Sequence, residues 1–164
     1  MSEGAVVATE IEIARRNWMA EHLRSYLQSG GVSGHIVDLR DIGGHAFTTT
    51  LLLRTVGRKS GQTRISPLIY GDIGGEVVIV ASKGGADVHP GWYLNIKSVR
   101  EVSYQIGGQA FRSTWREPFG AERDEIWAFM QKIYPPYTQY QAQTRRTIPL
   151  VMLAPGESIE IFRG

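Results

Sequence analysis

The sequence predicts a β-rich α+β fold, a small β-barrel with helices attached to it. Three observations carry that expectation. Short apolar, β-branched runs of five to nine residues recur from Thr48 onward. Glycine-rich turns join neighbouring runs, as at Gly71–Gly75 and Gly107-Gly108. Helical spacing of apolar residues is confined to a few stretches, so strands dominate the core.

In chain order, the first element is a helix over Ile11–Gln28. Ile11, Ala14, Trp18, Met19, Leu23, Tyr26 and Leu27 form one stripe, Thr9 and Glu12 supply a capping box, and Gly30-Gly31 stops it. Gly31–Gly44 reads as loop. Thr48–Val56 is a strand ended by Gly57; Ile65–Tyr70 and Val77–Ala81 form a hairpin across Gly71–Gly75. A short helix opens near Pro90, with proline at its first position. Val102–Ile106 and Gln109–Trp115 flank Gly107-Gly108, Ala121–Ile133 is a helix, and Ile148–Leu153 and Ser158–Phe162 close the chain as strands. This divides the chain into residues 1–45, a helix and loop packed on or extending from the domain, and residues 46–164, the barrel.

A chain of 164 residues with 42% apolar and 21% charged side chains has enough apolar material for one full core. It contains no cysteine, which excludes disulfides, thiolate metal sites and cysteine nucleophiles. The histidines His22, His35, His45 and His89 lack ligand spacing, so no metal is expected. Nothing resembles a signal peptide or a membrane span, because no apolar run exceeds five residues, and the expected location is the cytoplasm. The charges of the first helix cancel, whereas a helix lying on the inner membrane face is usually basic. Packing on the domain is therefore favoured over peripheral membrane contact.

Charge patterning is local. No Asp or Glu occurs between Ile42 and Gly71, where Arg54, Arg58, Lys59 and Arg64 all fall; the chain carries +2, so the remainder is −2 (+2 minus these four). Cations interleaved with Gly, Ser and Thr donors suit a phosphate or a string of carboxylates, although a solvated hairpin turn would look similar. Ser82-Lys83-Gly84-Gly85 follows a strand, where consecutive N–H groups around glycines can form an anion nest or an ordinary turn. Tyr134, Tyr137 and Tyr140 recur at intervals of three within Tyr134–Tyr140, in a polyproline or helical segment. Buried tyrosines need hydroxyl partners, so three together suit a pocket lining better than a core. The Gly-x-Ser-x-Gly elbow, the phosphate loop and the dinucleotide fingerprint are all absent.

Together the runs Leu51–Arg64, Ser66-Pro67-Leu68, Val78–Gly85, His89–Lys97, Tyr134–Gln141 and Thr147-Ile148-Pro149 resemble the deazaflavin (coenzyme F420)-dependent nitroreductase and quinone reductase family of actinobacteria. The similarity covers Thr48 to Pro155. It implies a split β-barrel of the FMN-binding type. It also implies coenzyme F420, whose phosphate and polyglutamate tail make it long and anionic. Carried over by position, Arg58, Lys59 and Ser60 would meet the tail or phosphate. Arg64, Ile65, Ser66, Pro67, Leu68 and Ile69 would border ring and linker, with Pro67 against the ring. Val80, Ala81, Ser82 and Lys83 would line the other side, and Gly91, Trp92, Tyr93, Leu94 and Asn95 would complete the phosphate end, helped by the positive end of the short helix. Ile69 departs from the pattern, since relatives often place an aromatic there.

The activity so implied is hydride transfer from reduced coenzyme F420 to a small electron-poor acceptor: a quinone, a nitroaromatic, or a conjugated enone or lactone. Tyr134, Tyr137 and Tyr140 would close the acceptor pocket with Trp92 near its edge. Tyr137, then Ser82, is the candidate catalytic donor to the oxygen that gains charge, with water as the other proton source. Three readings stand beside it. Flavin mononucleotide is the alternative cofactor, a non-catalytic storage or redox-sensing module the alternative role, and a binder of single-stranded nucleic acid the third. The thin net charge counts against nucleic acid, which is not expected.

Overall fold

The computed structural model describes residues 17–163; the predicted helix start at Thr9 and Glu12 lies outside them. Helix α1 occupies 17–28. Strands β1 (Ile36–Val37), β2 (Thr48–Val56), β3 (Thr63–Ile73) and β4 (Glu76–Val80) follow. Next come helix α2 (Gly91–Ile96), strands β5 (Glu101–Ile106) and β6 (Gln109–Arg116), and helices α3 (Gly120–Ile133) and α4 (Pro136–Ala142). Strands β7 (Leu150–Leu153) and β8 (Glu157–Ile159) end the chain.

All the strand pairs are antiparallel, and the order β2-β3-β4-β7-β6-β5 closes on itself through β5–β2. The barrel holds together because two long strands change partner midway. β3 pairs with β2 over Thr63–Ile69 and with β4 over Tyr70–Ile73. β6 pairs with β5 over Gln109–Thr114 and with β7 over Trp115-Arg116. The N-terminal half of β3 is thus paired along one edge only. Pro67 sits in that half, where a residue without an N–H is tolerated.

Strand alternation explains the continuous apolar runs. Leu51, Leu53, Val77, Ile79, Val151 and Leu153 fill the barrel interior. The intervening Val78, Val80, Leu150 and Met152 pack outward against Ile126, Met130, Tyr134 and Tyr137 of the α3–α4 segment. Leu52 packs outward against Tyr26 and Phe162. Strands buried on both faces lose the polar alternation of a half-exposed sheet. Truncating one of these leucines to alanine would cost about 2–5 kcal/mol.

Tyr26 ties α1 to the barrel: its hydroxyl donates to Thr50 O (3.0 Å) and accepts from Gly107 N–H (2.8 Å). Burial pushes this phenol up to about 12.

Four local expectations are corrected. Gly31–Gly44, read as loop, contains β1 and a 3-10 turn at Arg40–Ile42. Pro90 caps α2 in extended conformation (φ −64°, ψ 150°) and does not occupy its first turn. β7 starts at Leu150, because Pro149 has no N–H to pair; its carbonyl instead accepts from Ala81 N–H (2.9 Å). The last strand is Glu157–Ile159, shorter than Ser158–Phe162. The undecided tyrosine segment is helical, with Pro136 at the first position of α4, where a missing N–H costs nothing.

Candidate functional site at the split edge

The basic turn between β2 and β3 is closed by its own backbone. Gly57 N–H donates to Gln62 O (2.8 Å), Gly61 N–H to Gly57 O (2.9 Å), and Gln62 N–H to Ser60 Oγ (3.1 Å). Asn95 of α2 anchors the turn. Its Oδ1 accepts from the backbone N–H (3.1 Å) and Nη1 (3.0 Å) of Arg58, and its amide donates to Thr55 Oγ1 (3.4 Å). Between turn and helix lies a cavity of about 440 Å³. Arg58, Lys59, Ser60, Arg64 and Ser66 line one side, and Gly91, Trp92 and Asn95 the other.

No acid lines this cavity. A Cβ placed on Gly91 would meet nothing within 4 Å, so glycine keeps a wall of the cavity open and relieves no clash. Three cations, hydroxyl and amide donors and the start of a helix match a phosphate-bearing or carboxylate-bearing ligand. Arg54, the fourth cation of the acid-free stretch, is not part of it. It shares the outward face of Leu52 and lies 4.3 Å over the Phe162 ring.

The chain leaves β4 level with the middle of β3 and heading toward the basic turn, since β4 runs antiparallel to β3 with Ile79 opposite Tyr70. Ser82 is right-handed helical (φ −82°, ψ −38°), and Lys83, Gly84 and Gly85 follow with φ of 46°, 63° and 85°. Lys83 is the one non-glycine residue with positive φ among those described. A right-handed residue followed by left-handed ones turns successive N–H groups to one side, the geometry of an anion nest, here limited to Ser82–Gly84 because the Gly85 N–H is given to Ser82 O (2.9 Å). The loop rests on α4, where a Cβ at Gly85 would lie 2.8 Å from Tyr140 O.

Arg146 holds this loop, a residue whose role the sequence did not disclose. Its guanidinium donates to the carbonyls of Ala86 (2.7 Å), Ser82 (2.8 Å) and Ala81 (3.2 Å), and to Nδ1 of His89 (3.0 Å). Arg146 is adjacent to Arg145 in the sequence, and which of the two turns inward depends on the path of the chain after α4.

Several expected positions behave differently from a continuous lining. Along β3, Leu68 and Tyr70 join the barrel interior, while Ile65 packs beside Tyr26 and Leu52, and Ile69 beside the α3–α4 layer. Side chains from Arg64 to Ile69 therefore alternate between faces, and a ligand on one face meets every second one. Val80 and Ala81 are packed into the apolar layers at 5% and 0% exposure, and the Ala81 N–H and carbonyl are both engaged within the protein, by Pro149 O and Arg146.

Tyr93 points into the barrel core and donates to Glu117 Oε1 (2.7 Å), anchoring α2, with Leu94 packed on the same core. Tyr134 and Tyr137 are buried in the outer layer, contrary to the expectation of an open lining; their rings meet edge to face at 5.0 Å. The apolar faces of Ile126, Met130 and Ile148 draw them in. Tyr140 is half-buried, its hydroxyl 3.3 Å from that of Tyr134. Burial, then the neighbouring Tyr134 and Tyr140, holds the Tyr137 phenol well above the ordinary tyrosine range.

The site thus consists of a split barrel whose one-sided strand adjoins a cation-lined cavity and the Ser82–Gly85 loop. The family model of F420H(2)-dependent quinone reductases matches residues 18–155, and the chain belongs to that family. An F420-H2 dependent reductase of known structure (FDR-A) is 41% identical with a TM-score of 0.58, covering 63% of this chain and 92% of that one. A second structure, a domain-swapped dimer, is 35% identical with a TM-score of 0.61 over 85% and 98% of the two chains. An F420H(2)-dependent quinone reductase of Mycobacterium tuberculosis is 37% identical over 107 residues, 63% of this chain and 72% of that protein. A heme storage protein from Vibrio cholerae, 14% identical with a TM-score of 0.52 over 70% and 87% of the chains, shares the fold alone. The protein is accordingly an F420H(2)-dependent reductase with coenzyme F420 as its cofactor, which decides between the cofactors and roles left open by the sequence. No helix among the described residues is long and apolar enough to cross a membrane.

Proposed function

We propose that the chain reduces an electron-poor small molecule, a quinone first among them, at the one-sided half of β3. The observation that carries the reading is the sequence of features along that edge. A cavity holding Arg58, Lys59 and Arg64 stands at one end, and the Ser82–Gly85 nest with half-buried Tyr140 stands at the other. In this reading Arg58, Lys59 and Ser60 hold the cofactor's phosphate and acidic tail with the open end of α2. The backbone of Ser66–Ile69 and of Ser82-Lys83 borders its ring.

Reduced coenzyme F420 supplies a hydride when bound. The protein's work is to align and to manage charge. The Tyr137 ring lies 6.2 Å from that of Tyr140, and burial holds its phenol above the ordinary tyrosine range, so in this reading its hydroxyl acts as a hydrogen-bond donor and not as a proton source. Ser82 is half-buried on the loop that Arg146 holds, which makes its hydroxyl the first candidate to meet the acceptor oxygen. The apolar layer of Ile126, Ile133, Tyr134 and Tyr137 keeps water from that side.

The test is turnover of the reduced cofactor against a quinone, a nitroaromatic and an enone, with Ser82→Ala and Tyr137→Phe beside wild type. Ser82→Ala should lose more kcat with the quinone than Tyr137→Phe. Full turnover by both variants would remove both donors from the reaction, and silence with every acceptor would remove the acceptor class.

A further inference from the structure

We infer that Arg146 is the positioning residue of the cofactor site: one guanidinium fixes the nest, the entry to α2 and the end of α4 relative to one another. The inference rests on the reading that the Ser82–Gly85 loop and the α2 cavity hold the cofactor.

Four acceptors converge on this side chain. Three are carbonyls of one short loop, at Ala81, Ser82 and Ala86, and the fourth is Nδ1 of His89, at 2.7–3.2 Å. Arg146 is itself placed from α4, because Gln141 Nε2 donates to its carbonyl (2.7 Å) while Gln141 Oε1 accepts from Ile148 N–H (2.9 Å). His89 leads into α2 through Pro90 and lies against the Tyr93 ring at 4.9 Å. A planar fork with fixed donors suits this work, and an ammonium would satisfy one or two of the four acceptors.

The consequence is directional. Carbonyls drawn inward onto Arg146 leave the N–H groups of Ser82, Lys83 and Gly84 to face away from it, and that holds Lys83 in its left-handed conformation (φ 46°). Left-handed Lys83 is costly to keep, whereas Gly84 is not; the turn bonds Gly85 N–H to Ser82 O (2.9 Å) and Ala86 N–H to Lys83 O (3.2 Å) share that constraint with the guanidinium. The contact to His89 requires a neutral ring, since Nδ1 accepts from Nη1. Burial, Arg146 and Lys97 hold His89 below the ordinary histidine range, while Glu117 acts the other way, and the Tyr93 ring faces it.

The experiment uses the full chain and coenzyme F420, titrated by fluorescence into wild type, Arg146→Ala, Arg146→Lys and the exposed neighbour Arg145→Ala. Arg146→Ala should bind the cofactor roughly ten- to a hundredfold more weakly, the scale of lost charge-assisted hydrogen bonds. Millimolar guanidinium should restore much of that affinity. Arg146→Lys should fall between, Arg145→Ala should match wild type, and the KM for reduced cofactor should rise more than kcat falls.

Equal affinity in folded Arg146→Ala, or a loss that guanidinium does not touch, overturns the inference. If Arg146→Ala does not fold, Arg146→Lys decides: wild-type affinity, with unchanged amide exchange at Lys83–Gly85, also overturns it. Failure of wild type to bind the cofactor would instead refute the site on which the inference rests.

Discussion

Asn95→Asp separates the anchoring of the basic turn from its charge. The substitution is isosteric, so Oδ1 still accepts from the Arg58 N–H and Nη1 at about the present 3.1 and 3.0 Å. Only the amide donation to Thr55 Oγ1 at 3.4 Å disappears, and the threonine hydroxyl can replace it by donating in turn. Folding stability should therefore stay within about 1 kcal/mol of wild type. The cavity, by contrast, gains a negative charge on its wall. A ligand anion about 6 Å from the new carboxylate is repelled by roughly 0.7–2.8 kcal/mol for effective dielectric constants between 80 and 20, a loss of about 3- to 100-fold in affinity. Fluorescence titration of oxidised coenzyme F420, run beside thermal melts, reads both quantities. The deficit should shrink as salt rises, because the screening length falls to about 8 Å at 0.15 M and about 3 Å at 1 M. Wild-type affinity in Asn95→Asp at low salt would refute the placement of the anionic part in this cavity. A drop in melting temperature equal to that of Asn95→Ala would refute the anchoring argument.

Other outcomes follow from the same geometry. Arg58→Ala with Lys59→Ala should weaken cofactor binding, and more for long-tailed than for short-tailed forms; titration with both forms checks this, and equal loss would sever the turn from the tail. Gly91→Leu should fold as wild type does, since a Cβ there meets nothing within 4 Å, yet it should exclude cofactor from the cavity in the same titration. His35 and His89 are both held below the ordinary histidine range, chiefly by burial, so the unfolded chain binds their protons more readily. Stability should then be full above about pH 6.5 and should decline as pH falls through that value toward the lower folded-state values, a trend visible in melts from pH 8 to 5. His35→Gln with His89→Gln should flatten it.

The strands were legible wherever packing on two faces left an unbroken apolar run. Thr48–Val56 in the sequence is β2 in the structure to the residue, because glycine ends it and every second residue has a core to enter. The basic turn was legible as well, since charge in a stretch without acids needs no tertiary knowledge. What sequence could not supply was facing. The resemblance carried Arg64–Ile69 over as one border, whereas the pleat sends Ile65 and Ile69 into apolar layers and leaves Arg64 and Ser66 at the cavity. The tyrosines were read correctly as neighbours and wrongly as an open lining, because burial of a tyrosine depends on what the opposing strand presents, here Val78, Val80 and Met152. Arg146 was invisible for a related reason: backbone carbonyls, its main partners, leave no mark in a sequence.

The change of partner in β3 sets conflicting demands on seven residues. Thr63–Ile69 offers a row of backbone donors and acceptors to whatever comes alongside, which is how stray chains seed aggregates. Charge at Arg64 and the missing N–H of Pro67 discourage such a visitor. In the proposed reading a bound deazaflavin takes the berth itself. Loading the enzyme should thus guard its solubility as well as equip its chemistry.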